Sequence, residues 1–151
     1  MKKILVFSLL IFFSVIALAQ DIEIINGKYY KAGMLYTGVH KEYYETGELL
    51  SKINIVNGDI DGQQEIFYQS GKKKELRSYD EGLKDGTWMK WNEDGTKVAE
   101  ANYRIDLKHG EWKIWDDKGV LRYEMYYRKG KKDSTWIMYD ENGVESSRKK
   151  Y

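Results

Sequence analysis

Three kinds of side chain in this 151-residue chain could do chemistry: acids in turn-like strings, two histidines, and tryptophans at fixed intervals. Asn57-x-Asp59-x-Asp61-Gly62 has the oxygen spacing that opens a calcium-binding loop, where alternate carboxylates wrap a hard cation. Such a loop closes on a bidentate acid, and Tyr68 stands at the closing position. A repeated turn accounts for the same residues. His40 and His109 have no cysteine or second histidine in their own segments, whereas zinc draws several such ligands. No serine has the Gly-x-Ser-x-Gly context of an activated nucleophile. No glycine-rich loop opens a helix to hold phosphate. The carboxylates recur with the turns, and no pair stands out as a general acid and base. The reading is non-enzymatic, with no metal and no cofactor.

Trp88, Trp112 and Trp136 are different, because they recur every 24 residues. Three tryptophans at one phase can form a strip across stacked units. Two readings follow. The strip packs neighbouring units together, since indole area contributes strongly to a core. Alternatively it is an exposed aromatic binding surface for a peptide, a glycan or a protein. These three residues are the candidate site.

The elements that must position them follow from the same period. Gly38, Gly62, Gly86 and Gly110 share a phase, with Ser134 in the fifth copy. Nine residues later come Gly47, Gly71, Gly95, Gly119 and Gly143, and a third column holds Gly58, Gly82 and Gly130, with Asp106 as its exception. Tyr43, Phe67, Trp91, Trp115 and Tyr139 form one aromatic column; Ile55, Tyr79, Tyr103, Tyr127 and Tyr151 form another. Such self-similarity marks a repeat architecture.

Each unit reads as two strands and two turns: Gly86 to Asn92, a turn at Glu93-Asp94-Gly95, and a return over Lys97 to Arg104. Turn glycines recur too often to leave room for helices, and the absence of proline suits interior strands. In the return strand Leu121, Tyr123, Met125 and Tyr127 are expected on one face, as are Lys97, Ala99, Ala101 and Tyr103. Trp88 and Trp91, three apart, should point to opposite faces. The expected fold is all-β: an elongated, twisted antiparallel meander of 24-residue hairpins over 38–151, with units opening at 38, 62, 86, 110 and 134. Residues 20–37 should form an N-terminal capping hairpin with a type I′ turn at Asn26-Gly27. Arg148, Lys149 and Lys150 would discourage strand addition at the other end.

Lys2, Lys3 and the apolar run Ile4 to Ala19, closing on Ala17-Leu18-Ala19, read as a cleavable secretion signal over 1–19. The expected location is exported: periplasmic, cell-surface or secreted. Removing two lysines from 25 basic residues leaves 23 against 24 acids. That balance gives no electrostatic footprint for nucleic acid and no strong signal for a membrane surface.

The string Gly-x-Trp-x-x-(Trp/Tyr)-x-x-x-Gly, in Gly86–Gly95 and Gly110–Gly119, resembles the bacterial variant of the MORN repeat. Leu35-Tyr36-Thr37-Gly38 and Asn57-Gly58-Asp59-Ile60-Asp61-Gly62 are similar to that family's entry and closing turn. Units one and two depart, with His40 and Gln64 in the tryptophan column. The resemblance implies an interaction module with a protein partner. Some bacterial relatives are described as antitoxin or immunity components, which makes a toxin the alternative partner; eukaryotic relatives are linked to membrane or protein assembly.

Overall fold

The computed structural model describes residues 21–151, so the signal read over 1–19 lies outside the described residues. No helix occurs among them. β1 (Ile22–Ile25), β2 (Lys28–Lys31) and β3 (Met34–Leu35) form a small antiparallel sheet. Asn26 and Gly27 both have positive φ, the arrangement that joins two twisted strands with a two-residue type I′ loop.

The rest of the described residues form one open antiparallel sheet. Its strands are β4 (Gly38–Tyr43), β5 (Leu49–Val56), β6 (Asp59–Phe67), β7 (Lys73–Asp80), β8 (Leu83–Lys84), β9 (Gly86–Trp91), β10 (Lys97–Arg104), β11 (Leu107–Lys108), β12 (Gly110–Trp115), β13 (Leu121–Arg128), β14 (Lys131–Tyr139) and β15 (Glu145–Lys150). Apart from the two-residue β8 and β11, they lie side by side in chain order from β4 to β15. The repeat thus runs across the sheet, one hairpin per unit.

Two irregularities repeat with the unit. The first corrects the alternation expected in the return strand. Ile114 pairs with Tyr123 but Trp115 pairs with Leu121, leaving Arg122 as the extra residue of a bulge. Lys90 pairs with Ala99 and Trp91 with Lys97, so Val98 is extra in the preceding unit. Cross-strand partners share a face, so Leu121 and Lys97 lie with Trp115 and Trp91, away from Tyr123 and Ala99. Trp88 and Trp91 occupy opposite faces of the regular strand β9.

The second irregularity sits at the glycine that opens each unit. Between β5 and β6 the register jumps from Ile53↔Gln64 to Ile55↔Ile60, and between β13 and β14 from Glu124↔Ile137 to Tyr126↔Asp133. Gly62, Gly86 and Gly110 take φ of 85°, 90° and 76° there, which explains that glycine column. Ser134 must adopt φ 62° at the same place. Ser134→Gly is therefore expected to stabilise the protein by about 1 kcal/mol. Urea unfolding of the two proteins checks this; an unchanged midpoint would mean that the serine is not strained.

A single sheet has no second layer, so little is fully buried. The best-covered cluster is Tyr29, Ile53 and Ile55, with Ile22, Tyr36 and Ile60 against it. It forms where the small sheet docks: Tyr29 N–H donates to the Gly58 carbonyl (2.8 Å), and Gly58 N–H donates to that of Tyr36 (2.8 Å).

Candidate functional site: an aromatic ladder and the groove beside it

Trp88, Trp112 and Trp136 lie on one face of the sheet, opposite Ala101, Met125 and Lys149 on the neighbouring strands. They do not form a strip by themselves. Each slots between two tyrosines of the other column, giving the sequence Tyr79, Trp88, Tyr103, Trp112, Tyr127, Trp136, Tyr151. Successive ring centroids are 4.9 to 5.4 Å apart. Interplanar angles of 50° to 62° are the tilted arrangement that ring quadrupoles favour over a face-to-face stack. The two columns separate in sequence become one ladder because each hairpin sets its outgoing strand beside the previous return strand.

The indole nitrogens explain why tryptophan recurs at this phase. Trp88 Nε1 donates to the Ser78 carbonyl (2.9 Å), Trp112 Nε1 to that of Asn102 (2.9 Å), and Trp136 Nε1 to that of Tyr126 (3.0 Å). These carbonyls sit beside the opening-glycine irregularity, where regular strand pairing lapses. The Ser78 and Asn102 carbonyls already accept the backbone N–H of Asp85 (3.2 Å) and His109 (2.9 Å), and the indole adds a second donor across the unit boundary, filling the remaining lone pair. Histidine and glutamine take that position in units one and two, and the ladder gives way there to the Ile53–Ile55 cluster, with Tyr29 and His40 rings 5.8 Å apart.

A lysine column completes the ladder, and sequence reading did not single it out. Lys84, Lys108 and Lys132 recur at the same 24-residue spacing. Lys108 Nζ lies 4.4 Å from the Trp112 ring centroid and 4.8 Å from that of Tyr127. Lys132 lies 4.3 and 4.7 Å from Trp136 and Tyr151, and Lys84 lies 5.1 and 5.4 Å from Trp88 and Tyr103. Each ammonium is within cation–π range of two rings. Burial among these rings raises the Tyr103 hydroxyl above its ordinary pKa.

The ladder face departs from its own repeat in units four and five. A groove of about 440 Å³ opens there, lined by Ile114, Tyr123, Met125, Trp136, Met138 and Tyr151 among others. Tyr123 stands where the other units carry Ser51, Glu75, Ala99 and Ser147; Met125 stands where they carry Ile53, Arg77, Ala101 and Lys149. The groove is open rather than filled, with Tyr123 40% and Met138 44% exposed. Of the three tryptophans, Trp136 borders this groove, Trp88 borders a shallower hollow over Ala99 and Ala101, and Trp112 borders neither.

The opposite face carries charge in closed pairs. Lys73 meets Glu65 at 2.8 Å, Lys97 meets Glu100 at 2.7 Å, Lys113 meets Glu111 at 2.9 Å, and Arg148 meets Glu145 at 2.6 Å. A hydrogen bond from the Tyr139 hydroxyl (2.9 Å), aided by Lys113, holds the Glu124 carboxyl below its ordinary value despite burial. These groups are satisfied by one another. Asp59, from the calcium-like string, pairs with Lys28 at 2.6 Å, while Asn57 and Gly58 form the positive-φ turn between β5 and β6. No group of three or more potential metal ligands occurs among the described residues.

Comparison with known proteins agrees with this geometry. The family model described as MORN repeat variant matches residues 36–57, 60–81 and 108–129. No curated protein matches the chain at a significant level. The matched segments each span a hairpin and its closing turn, and the intervening and following units repeat the same strands and ladder. The chain carries three repeats of the MORN variant family.

Proposed function

We propose that this protein is an exported, non-enzymatic interaction module that holds a protein partner against its ladder face. An array of MORN repeats is consistent with such a module. The reading is carried by the groove beside Trp136, where Tyr123 replaces the serine, alanine or glutamate of its column and Met125 stands in a column that elsewhere holds Ile53, Arg77, Ala101 and Lys149. A binding function is expected to break a structural repeat, whereas packing repeats it. Exposed methionine, tyrosine and isoleucine around a shallow concavity supply the apolar anchors from which interface hot spots are made. Export rests on the charged and apolar pattern of residues 1–19.

The test is affinity capture from the envelope and secreted fractions of the source cell with wild-type protein and Tyr123→Ser. Tyr123 is exposed, so the variant should keep its melting temperature. The expected result is a dominant protein retained by the wild type and lost, by about tenfold or more, from the variant. Equal retention by both would place binding elsewhere. A second reading, an immunity protein that neutralises a toxin met outside the cytoplasm, is supported by the family resemblance and the signal-like N-terminus. A toxin domain on the captured protein decides for it.

A further inference from the structure

The charges of the two sheet faces are not shared alike. On the opposite face, the acids Glu65, Glu100, Glu111, Glu124 and Glu145 all lie within ion-pair distance of a lysine or arginine. On the ladder face from β9 to β15 the order along the strands gives lysines at 90, 108, 132 and 149 and no acid; Lys84 adds a fifth from β8. Glu75, across from Lys90, is taken by Arg77 at 2.6 Å. Among the described residues, Lys84, Lys108, Lys132 and Lys149 form no ion pair; each rests on aromatic rings instead. From β8 to β15, one face of a nearly neutral protein therefore presents lysines that have no internal counter-charge among the described residues.

The spacing of those cations is set by the fold. Neighbouring strands stand about 4.8 Å apart, so one hairpin advances the column by about 9–10 Å. Lys84, Lys108 and Lys132 thus form a row with that period, ending at the Trp136 and Tyr151 rings that border the apolar groove, where Lys149 adds a further cation. A polyproline II strand rises about 3.1 Å per residue with three residues per turn, so every third side chain lies on one face at about 9 Å. The two periods agree. Rings beneath each ammonium restrict its motion before binding, which lowers the ordering cost of meeting an anion.

We infer that the ladder face recognises an extended acidic segment of its partner, in polyproline II form, with a carboxylate at every third residue and a large apolar side chain at one end. The carboxylates meet Lys84, Lys108 and Lys132, and the apolar side chain enters the groove that Tyr123 and Met138 help to line. This inference rests on the proposed interaction function and names the chemistry of the partner that the same face would take.

The test uses the full chain and a fluorescent peptide of Glu-Pro-Pro triplets ending in tryptophan. A peptide of the same composition with its glutamates consecutive, and an oligogalacturonate, serve as comparisons. The triplet peptide is expected to bind at least about tenfold more tightly than the rearranged one, with affinity falling as salt rises. Lys108→Gln with Lys132→Gln should weaken it by about tenfold or more, whereas the paired arginine replacements should keep it within about threefold. Thermal melting of both doubles separates lost charge from lost fold. Equal binding of the two peptides would overturn the periodic match, and binding of the oligogalacturonate alone would overturn the choice of a peptide. If no peptide binds while cellular capture still depends on Tyr123, this inference fails and the interaction function stands. If capture is indifferent to Tyr123, the function reading itself fails.

Discussion

Replacing Trp112 by alanine is expected to destabilise the protein by about 3 kcal/mol, near the lower end of the range for aromatic truncations because the indole is half-buried. Trp112 is the middle rung of the ladder. Its loss removes contacts with Tyr103 and Tyr127, the seat of Lys108, and one of two donors to the Asn102 carbonyl. Trp112→Phe separates these contributions. It keeps a ring between the tyrosines and removes only the second donor to the Asn102 carbonyl, which still accepts the His109 N–H, at an expected cost of about 0.5–1 kcal/mol. In a repeat array, stability is carried by interfaces between neighbours, so damage at the middle rung should also broaden the unfolding transition. Equilibrium urea denaturation followed by tryptophan fluorescence reads both quantities. A loss below about 1 kcal/mol for Trp112→Ala would show that strand pairing, not the ladder, holds the units together.

The second large effect belongs at the other end. Ile55 is 1% exposed and Ile53 2%, the most deeply covered large side chains among the described residues. Ile55→Ala is expected to cost about 3–4 kcal/mol, since a one-layer sheet has little material above it that can collapse into the vacated space. The small sheet docks over this cluster through Tyr29, so its strands should open together with the loss. Hydrogen exchange at β1 and β2 should accelerate more than at β13 and β14. Uniform acceleration along the chain would instead make the array one cooperative block.

The 24-residue period makes the hairpins, their turn glycines and the opposite-facing tryptophans legible in the sequence. Trp88 and Trp91 need only the two-residue alternation of a strand, and Asn26-Gly27 needs only local turn chemistry. The position of Leu121 was not legible, because one bulge residue, Arg122, reverses the face of everything before it. Nothing in the identities of Val98 or Arg122 announces a bulge. The merger of the tryptophan and tyrosine columns also depends on which strands become neighbours and in which register. The lysine column was present as a plain 24-residue recurrence, but its meaning required the rings beneath it. Tyr123 and Met125 were readable as departures from their columns; their joint opening onto a groove depended on register and on the space left between side chains.

Site-specific photocrosslinking shows whether a partner sits on the ladder face beside Trp136. A benzophenone amino acid is placed at Tyr123 or Met138 on that face, and at Tyr139 or Trp91 on the other, and each protein is irradiated with its partner fraction. The expected result is a crosslinked species from positions 123 and 138 and none from 139 or 91. Crosslinking from the opposite face alone, or equally from both, would contradict it.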